Sequence, residues 1–210
     1  RQARFGVGPH TISVPRIRPA EDVDPDEFEN GINDDIFEKI VAILRVAVPY
    51  TGIIVSTRET KESRERVLRV GVSQISGASS TSVGGYAEPE KPEDNSAQFE
   101  RSDDRTLDEV VNWLLDLGHI PSFCTACYRE GRTGDRFMSL VKSGQIANCC
   151  GPNAMMTLKE YLEDYASEDT KQKGEKVIQK ALETITNPVV KQKAKEYIEN
   201  IHEGKRDFRF

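Results

Sequence analysis

Apolar and polar residues alternate across HTISVPRIRP (10–19), with Ile12 and Val14 on one side of an extended segment. This predicts a strand that runs out at Pro15 and Pro19. The acidic stretch AEDVDPDEFENG (20–31) breaks the pattern and reads as a loop. Asn33 is a helix-cap residue, and Asp34 and Asp35 favour the first turn of a helix. Ile36, Ile40, Ile43, Leu44 and Ala47 then recur at helical spacing. GIIVST (52–57) is short and nearly all apolar, as expected of a buried parallel strand. A helix over about 60–70 ends at Gly71, and VSQIS (72–76) forms another strand before the Gly/Ser-rich SGASSTSVGG (76–85).

Strand, helix, strand, helix, strand implies parallel βα units. Three strands cannot close a barrel, and a half barrel leaves an apolar edge. Residues 1–117 are therefore expected to be the last βα units of a (β/α)8 TIM barrel, with a small open α/β sheet as the alternative. The polar, Pro-bearing stretch 87–105 reads as a surface loop. Thr106-x-x-Glu109 has the spacing of a capping box ahead of Leu107, Val110, Val111, Leu114 and Leu115, and Gly118 is a stop. That helix is expected to be the last of the barrel. Residues 118–210 form a second, helical domain. Its apolar stripes are Met155, Leu158, Leu162 and Tyr165, then Val177, Ala181 and Ile185, then Val190, Ala194, Tyr197 and Ile201 behind an Asn187-Pro188 cap.

The net charge of −6, with no basic stripe, argues against nucleic acid. No apolar run is long enough to span a membrane. Without a secretory cue, a cytoplasmic setting is expected, and clustered cysteines point to metal or redox chemistry before disulfides.

All four cysteines lie in FCTACYREGRTGDRFMSLVKSGQIANCC (123–150). The Cys124-x-x-Cys127 pair brings two thiolates to one metal with little loop entropy. A third thiolate, from Cys149 or Cys150, suits a 4Fe-4S cluster with one iron left open, whereas four suit structural zinc. Adjacent Cys149 and Cys150 make a four-thiolate site awkward, yet spacing alone leaves both readings open. Arg129, Arg132, Arg136 and Lys142 outnumber Glu130 and Asp135, which is expected to lower nearby thiol pKa values.

The segment FCTACYREGRTGDRFM…SGQIANCC resembles the C-terminal cluster segment of HydG, the FeFe-hydrogenase maturase family of radical SAM tyrosine lyases. GPHTISVPR, VSQIS and the final GKRDFRF resemble the same family, so the resemblance covers nearly the whole chain. The family spacing Cys-x2-Cys-x22-Cys selects Cys124, Cys127 and Cys150 as ligands of a 4Fe-4S cluster and leaves Cys149 as a spectator. The resemblance implies a two-site enzyme. One site uses S-adenosylmethionine and a second 4Fe-4S cluster to cleave tyrosine to p-cresol and dehydroglycine. The C-terminal site converts dehydroglycine to carbon monoxide and cyanide on an additional iron held with a free cysteine. Other hydrogenase maturases are the implied partners.

The resemblance makes His10, in GPHTIS, the candidate ligand of the additional iron. Arg58 ends the run GIIVSTR, at the C-terminal end of a barrel strand, where active sites lie. Its guanidinium fork suits the tyrosine carboxylate; the plainer reading is a salt bridge to Glu59 or Glu62. Gln74 and Ser76 end the next strand and are expected to line the substrate site or channel. The radical SAM motif Cys-x3-Cys-x2-Cys is absent, and the first residue is Arg1. The chain is therefore expected to be the C-terminal portion, with the N-terminal half of the barrel missing, and not to cleave tyrosine alone. Two other readings are a tyrosine lyase of thiamine synthesis, which lacks this cysteine motif, and a non-catalytic iron–sulfur or zinc scaffold.

Overall fold

The computed structural model describes Arg4 and residues 8–19, 23–80 and 101–210. Part of the expected acidic loop (20–22) and most of the two later loops (81–100) lie outside the described residues. The chain divides into two compact units, Arg1–Thr106 and Leu107–Phe210.

In the first unit, strands β1 (Thr11–Ser13), β2 (Gly52–Val55) and β3 (Gln74–Ile75) form a parallel sheet in the order β1-β2-β3. Helix α1 (Asp34–Ala47) joins the first pair and α2 (Lys61–Arg69) the second. Asn33 caps α1, its Oδ1 accepting from the Ile36 amide at 2.9 Å, and Thr60 caps α2 through the Ser63 amide at 3.2 Å. Ile53 and Val55 face the helices and are buried with Phe37, Val41, Val67 and Val72. The core face of α1 is thus Phe37 and Val41, with Leu44 of the expected stripe packed against the same core. Ile36 and Ile43 from the expected stripe are 46% and 58% exposed, so the buried face is rotated from the one periodicity suggested. Gly71 closes α2 at φ +112°, a left-handed turn favouring glycine, and Arg45 reaches over it to its carbonyl at 2.7 Å.

The second unit is helical. Its elements are α3 (Leu107–Asp116), α4 (Ala126–Arg129), α5 (Gly134–Lys142), α6 (Ala147–Asp164), α7 (Glu168–Thr184) and α8 (Pro188–His202). Helix α3, expected as the last barrel helix, packs instead in this unit. Its Val111 and Leu115 share a core with Met155, Met156, Leu158, Leu162, Ile178, Leu182, Ala194 and Ile201. Asp108 on α3 accepts from Tyr161 Oη at 3.2 Å and Thr170 Oγ1 at 3.0 Å, tying it to α6 and α7. Gly174 lets α7 approach α6 closely: a Cβ there would stand 2.5 Å from Leu162 Cδ1. Asn187 caps α8 as expected, accepting from the Val189 and Val190 amides at 3.0 and 3.3 Å. Tyr165, placed on the α6 core stripe by periodicity, is 77% exposed beyond the helix end.

Candidate functional site

The parallel sheet sorts the first unit's candidates by edge. His10 precedes β1, is exposed, and its carbonyl accepts from the Gly52 amide at 3.0 Å, so it lies at the N-terminal edge. A Cβ on Gly52 would stand 3.5 Å from Gln74 Nε2, His10 O and Thr11 Oγ1, so the Gln74 amide also lies towards that edge. Arg58 and Ser76 follow the C-terminal ends of β2 and β3. The structure therefore brings Ser76 to the Arg58 edge and does not bring Gln74 there.

Around Arg58 the backbone is fixed from several sides. Its amide donates to Ser56 Oγ at 3.3 Å, and its carbonyl accepts from Arg18 Nε. Glu59, which sequence offered as a partner for Arg58, is 1% exposed and pairs with Arg16 and Arg18. Arg16 also reaches Asp34 at 2.7 Å. Arg64 on α2 is fully buried and donates to Asp103 and to the Ser76 carbonyl. Asp103 is also bound by Arg105 at 2.6 and 2.8 Å. Burial alone would raise the Asp103 pKa, but Arg105 and Arg64 hold it below the usual carboxylate range. Sequence reading missed this network because Arg16, Arg18, Glu59 and Arg64 carry no local motif and meet only through the fold.

The second unit gathers the thiols. Cys124 precedes α4, Cys127 sits on it, and Cys149 and Cys150 occupy the first turn of α6. Phe123 anchors the first pair to α6: its ring stacks on Tyr161 at 5.2 Å and its amide donates to Thr157 Oγ1 at 3.2 Å. The Ala126 amide donates to Cys124 Sγ at 3.4 Å. Pro152 inside α6 lacks the amide that would bond the Asn148 carbonyl.

Cys124, Cys127 and Cys149 are half-buried and Cys150 is exposed at the residue level. Even so, shielding by surrounding protein, then repulsion from Cys127, Cys124 and Cys149, pushes the Cys150 thiol up to about 11. Cys127 is raised by burial and by Cys124 and Cys149, with Arg132 opposing in both cases. The expected lowering by basic residues is thus reversed, since burial and mutual repulsion outweigh one guanidinium. Cys127 and Cys150 each feel both Cys124 and Cys149, so this arrangement by itself does not single out a spectator.

Among the described residues, no three His, Cys, Asp or Glu side chains converge to hold a single metal ion as they stand. Ligands of an iron–sulfur cluster each bind a different iron and need no such point. The donor chemistry fits: thiols from two segments share one neighbourhood with a guanidinium, Arg132, and thiolates are the ligands an iron–sulfur cluster takes. No helix among the described residues is long and apolar enough to cross a membrane.

A sheet of parallel βα units followed by a thiol-bearing helical unit defines the class. The Biotin and Thiamin Synthesis associated domain model matches residues 13–120, and the chain belongs to that family. The chain is similar over 100% of its length to a crystal structure of HydG, a maturase of the FeFe-hydrogenase, at 51% identity and TM-score 0.93. It is also similar over 94% of its length to the FeFe-hydrogenase maturase HydG from Carboxydothermus hydrogenoformans, at 38% identity and TM-score 0.70. A 2-iminoacetate synthase from Escherichia coli (strain K12) is 28% identical over 121 residues, 57% of this chain. The chain spans 45% and 41% of the two HydG chains and 30% of the synthase. It is a HydG-like C-terminal portion.

Proposed function

We propose that this chain is the carbon monoxide- and cyanide-forming part of a radical SAM tyrosine lyase that matures FeFe-hydrogenase. The carrying observation is that the Cys124–Cys127 segment is anchored by Phe123 on the helix that carries Cys149 and Cys150, close enough for Cys127 and Cys150 to feel the other thiols. Similarity to HydG over 100% of the chain, against 57% for the 2-iminoacetate synthase, supports a maturase over a thiamine-pathway lyase.

In this reading β1–β3 are the last strands of a (β/α) barrel that the rest of the enzyme completes. Arg58, at the C-terminal strand ends, binds the tyrosine carboxylate through its fork, and Ser76 lines the same pocket. Arg18 and Arg64 position these residues by holding the Arg58 and Ser76 carbonyls. Thr11 and Gln74 offer polar groups on the opposite side of the sheet from the buried helix-facing core, suited to a polar small product such as dehydroglycine. His10, at the other edge, ligates the additional iron, with a free cysteine as the remaining component. Cys124, Cys127 and Cys150 hold a 4Fe-4S cluster, which supplies an open iron corner and electrons. S-adenosylmethionine and the second cluster belong to residues outside this chain.

Anaerobic reconstitution tests the reading. Iron and acid-labile sulfide should bind with an electron paramagnetic resonance signal of a reduced 4Fe-4S cluster that depends on Cys127. Zinc bound alone, without sulfide, would instead support a structural scaffold.

A further inference from the structure

The C-terminal segment clasps the thiol site. Helix α8 ends at His202, a turn follows through Gly204 (φ +96°), and residues 205–210 run without helix or strand. Arg129 pairs with Asp207, and Arg209 Nε donates to Glu130 Oε1 at 2.8 Å. Arg132 Nη2 donates to the Phe210 backbone oxygen at 2.7 Å. Arg129 is the last residue of the helix that carries Cys127, and Glu130 and Arg132 follow it. Phe210 also exchanges two bonds with Asn153, its amide donating to Oδ1 at 2.8 Å and Nδ2 donating back at 3.4 Å. Asn153 is 3% exposed and lies on α6 just past Cys150. The Phe210 backbone therefore bridges the two cysteine-bearing segments and pins Arg132 between them.

Two independent observations mark Arg132. Its amide donates to the Cys127 carbonyl at 2.7 Å, which holds it against that ligand. Its Nε–H is buried and has no hydrogen-bond partner. A buried donor without an acceptor is costly, and a native fold keeps one where a redox or catalytic role, an ion or an ordered water completes it. We propose that Arg132, held in place by Phe210 and Asn153, is a positioning cation of the thiol site, its charge and free Nε–H serving the anionic sulfur of the cluster bound there. The inference rests on the cluster reading above. One-electron reduction of a cluster adds negative charge, and a shielded cation with a free donor stabilises the reduced form, raising its potential.

The test is a redox titration of the full-length protein, reconstituted anaerobically and followed by electron paramagnetic resonance. The signal lost in Cys127→Ala identifies the site's own cluster. In Arg132→Gln, which keeps donors but loses the charge, the midpoint of that signal should shift to a more negative potential. Arg132→Lys should return the midpoint most of the way to the wild-type value. An unchanged midpoint in a fully loaded Arg132→Gln overturns the proposal. If Arg132→Gln loads less cluster, Arg132→Lys should recover the loading, and equal loss in both overturns it too. A wild-type protein with no Cys127-dependent signal would refute the cluster reading itself, a separate outcome from either.

Discussion

His10 and Arg58 stand at opposite edges of one parallel sheet, His10 entering β1 and Arg58 following the end of β2. Two chemistries assigned to these residues are thus separable by mutation. In the full-length enzyme, Arg58→Lys should raise the tyrosine KM about tenfold or more as the bidentate fork is lost. His10→Ala should leave p-cresol formation and the 4Fe-4S signal intact while the additional iron and the infrared-detected carbonyl product fall. Iron content, p-cresol and carbonyl measured together decide it. Normal carbonyl in His10→Ala would leave His10 with no part in holding the iron.

The buried pair Arg64–Asp103 holds the Ser76 carbonyl at the Arg58 edge. Asp103→Ala strands a fully buried guanidinium, and removing one partner of such a pair costs about 3–5 kcal/mol. Thermal unfolding should show a large loss, and Arg64→Met/Asp103→Ala should lose less than Asp103→Ala alone. Equal losses would mean that the charge is not what matters.

Much of the fold was legible because local rules and packing agree. The caps at Asn33 and Asn187 and the stop at Gly118 work as their residue types predict. Helix α3 falls in the second compact unit, which its amphipathic stripe does not foretell, since a stripe states that a face is buried, not against what; Asp108, bonded to Tyr161 and Thr170, ties it to α6 and α7. The α1 stripe is only partly right: Leu44 packs on the core, but the helix is apolar on two sides, and only the sheet selects Phe37 and Val41 over Ile36 and Ile43. At the thiol site, the cysteines were visible as a motif. Arg132 and Phe210 lie 78 residues apart and were joined only by folding. The expected thiol pKa direction failed because counting charges in sequence omits burial.

Glu163 on α6 accepts from Lys171 at 2.6 Å and His202 at 3.0 Å and pairs with Lys159 at 2.7 Å. Burial alone would raise its pKa, but hydrogen bonds from Lys159, Lys171 and His202 hold it at about 2. Because the folded value lies below the ordinary 4.5, its stabilisation is present above about pH 4.5 and is lost as pH falls towards 2. Glu163→Gln should cost about 1–2 kcal/mol at neutral pH, allowing for solvent screening. The difference from wild type should shrink as pH is lowered through this window. A difference independent of pH would assign the loss to packing.

The cluster assignment itself meets its most direct test in single cysteine replacements. Reconstituted Cys124→Ala, Cys127→Ala and Cys150→Ala should each lose the C-terminal 4Fe-4S signal in electron paramagnetic resonance, while Cys149→Ala keeps it. A signal that survives Cys150→Ala and disappears in Cys149→Ala contradicts the ligand set, and a signal indifferent to all four replacements contradicts the account.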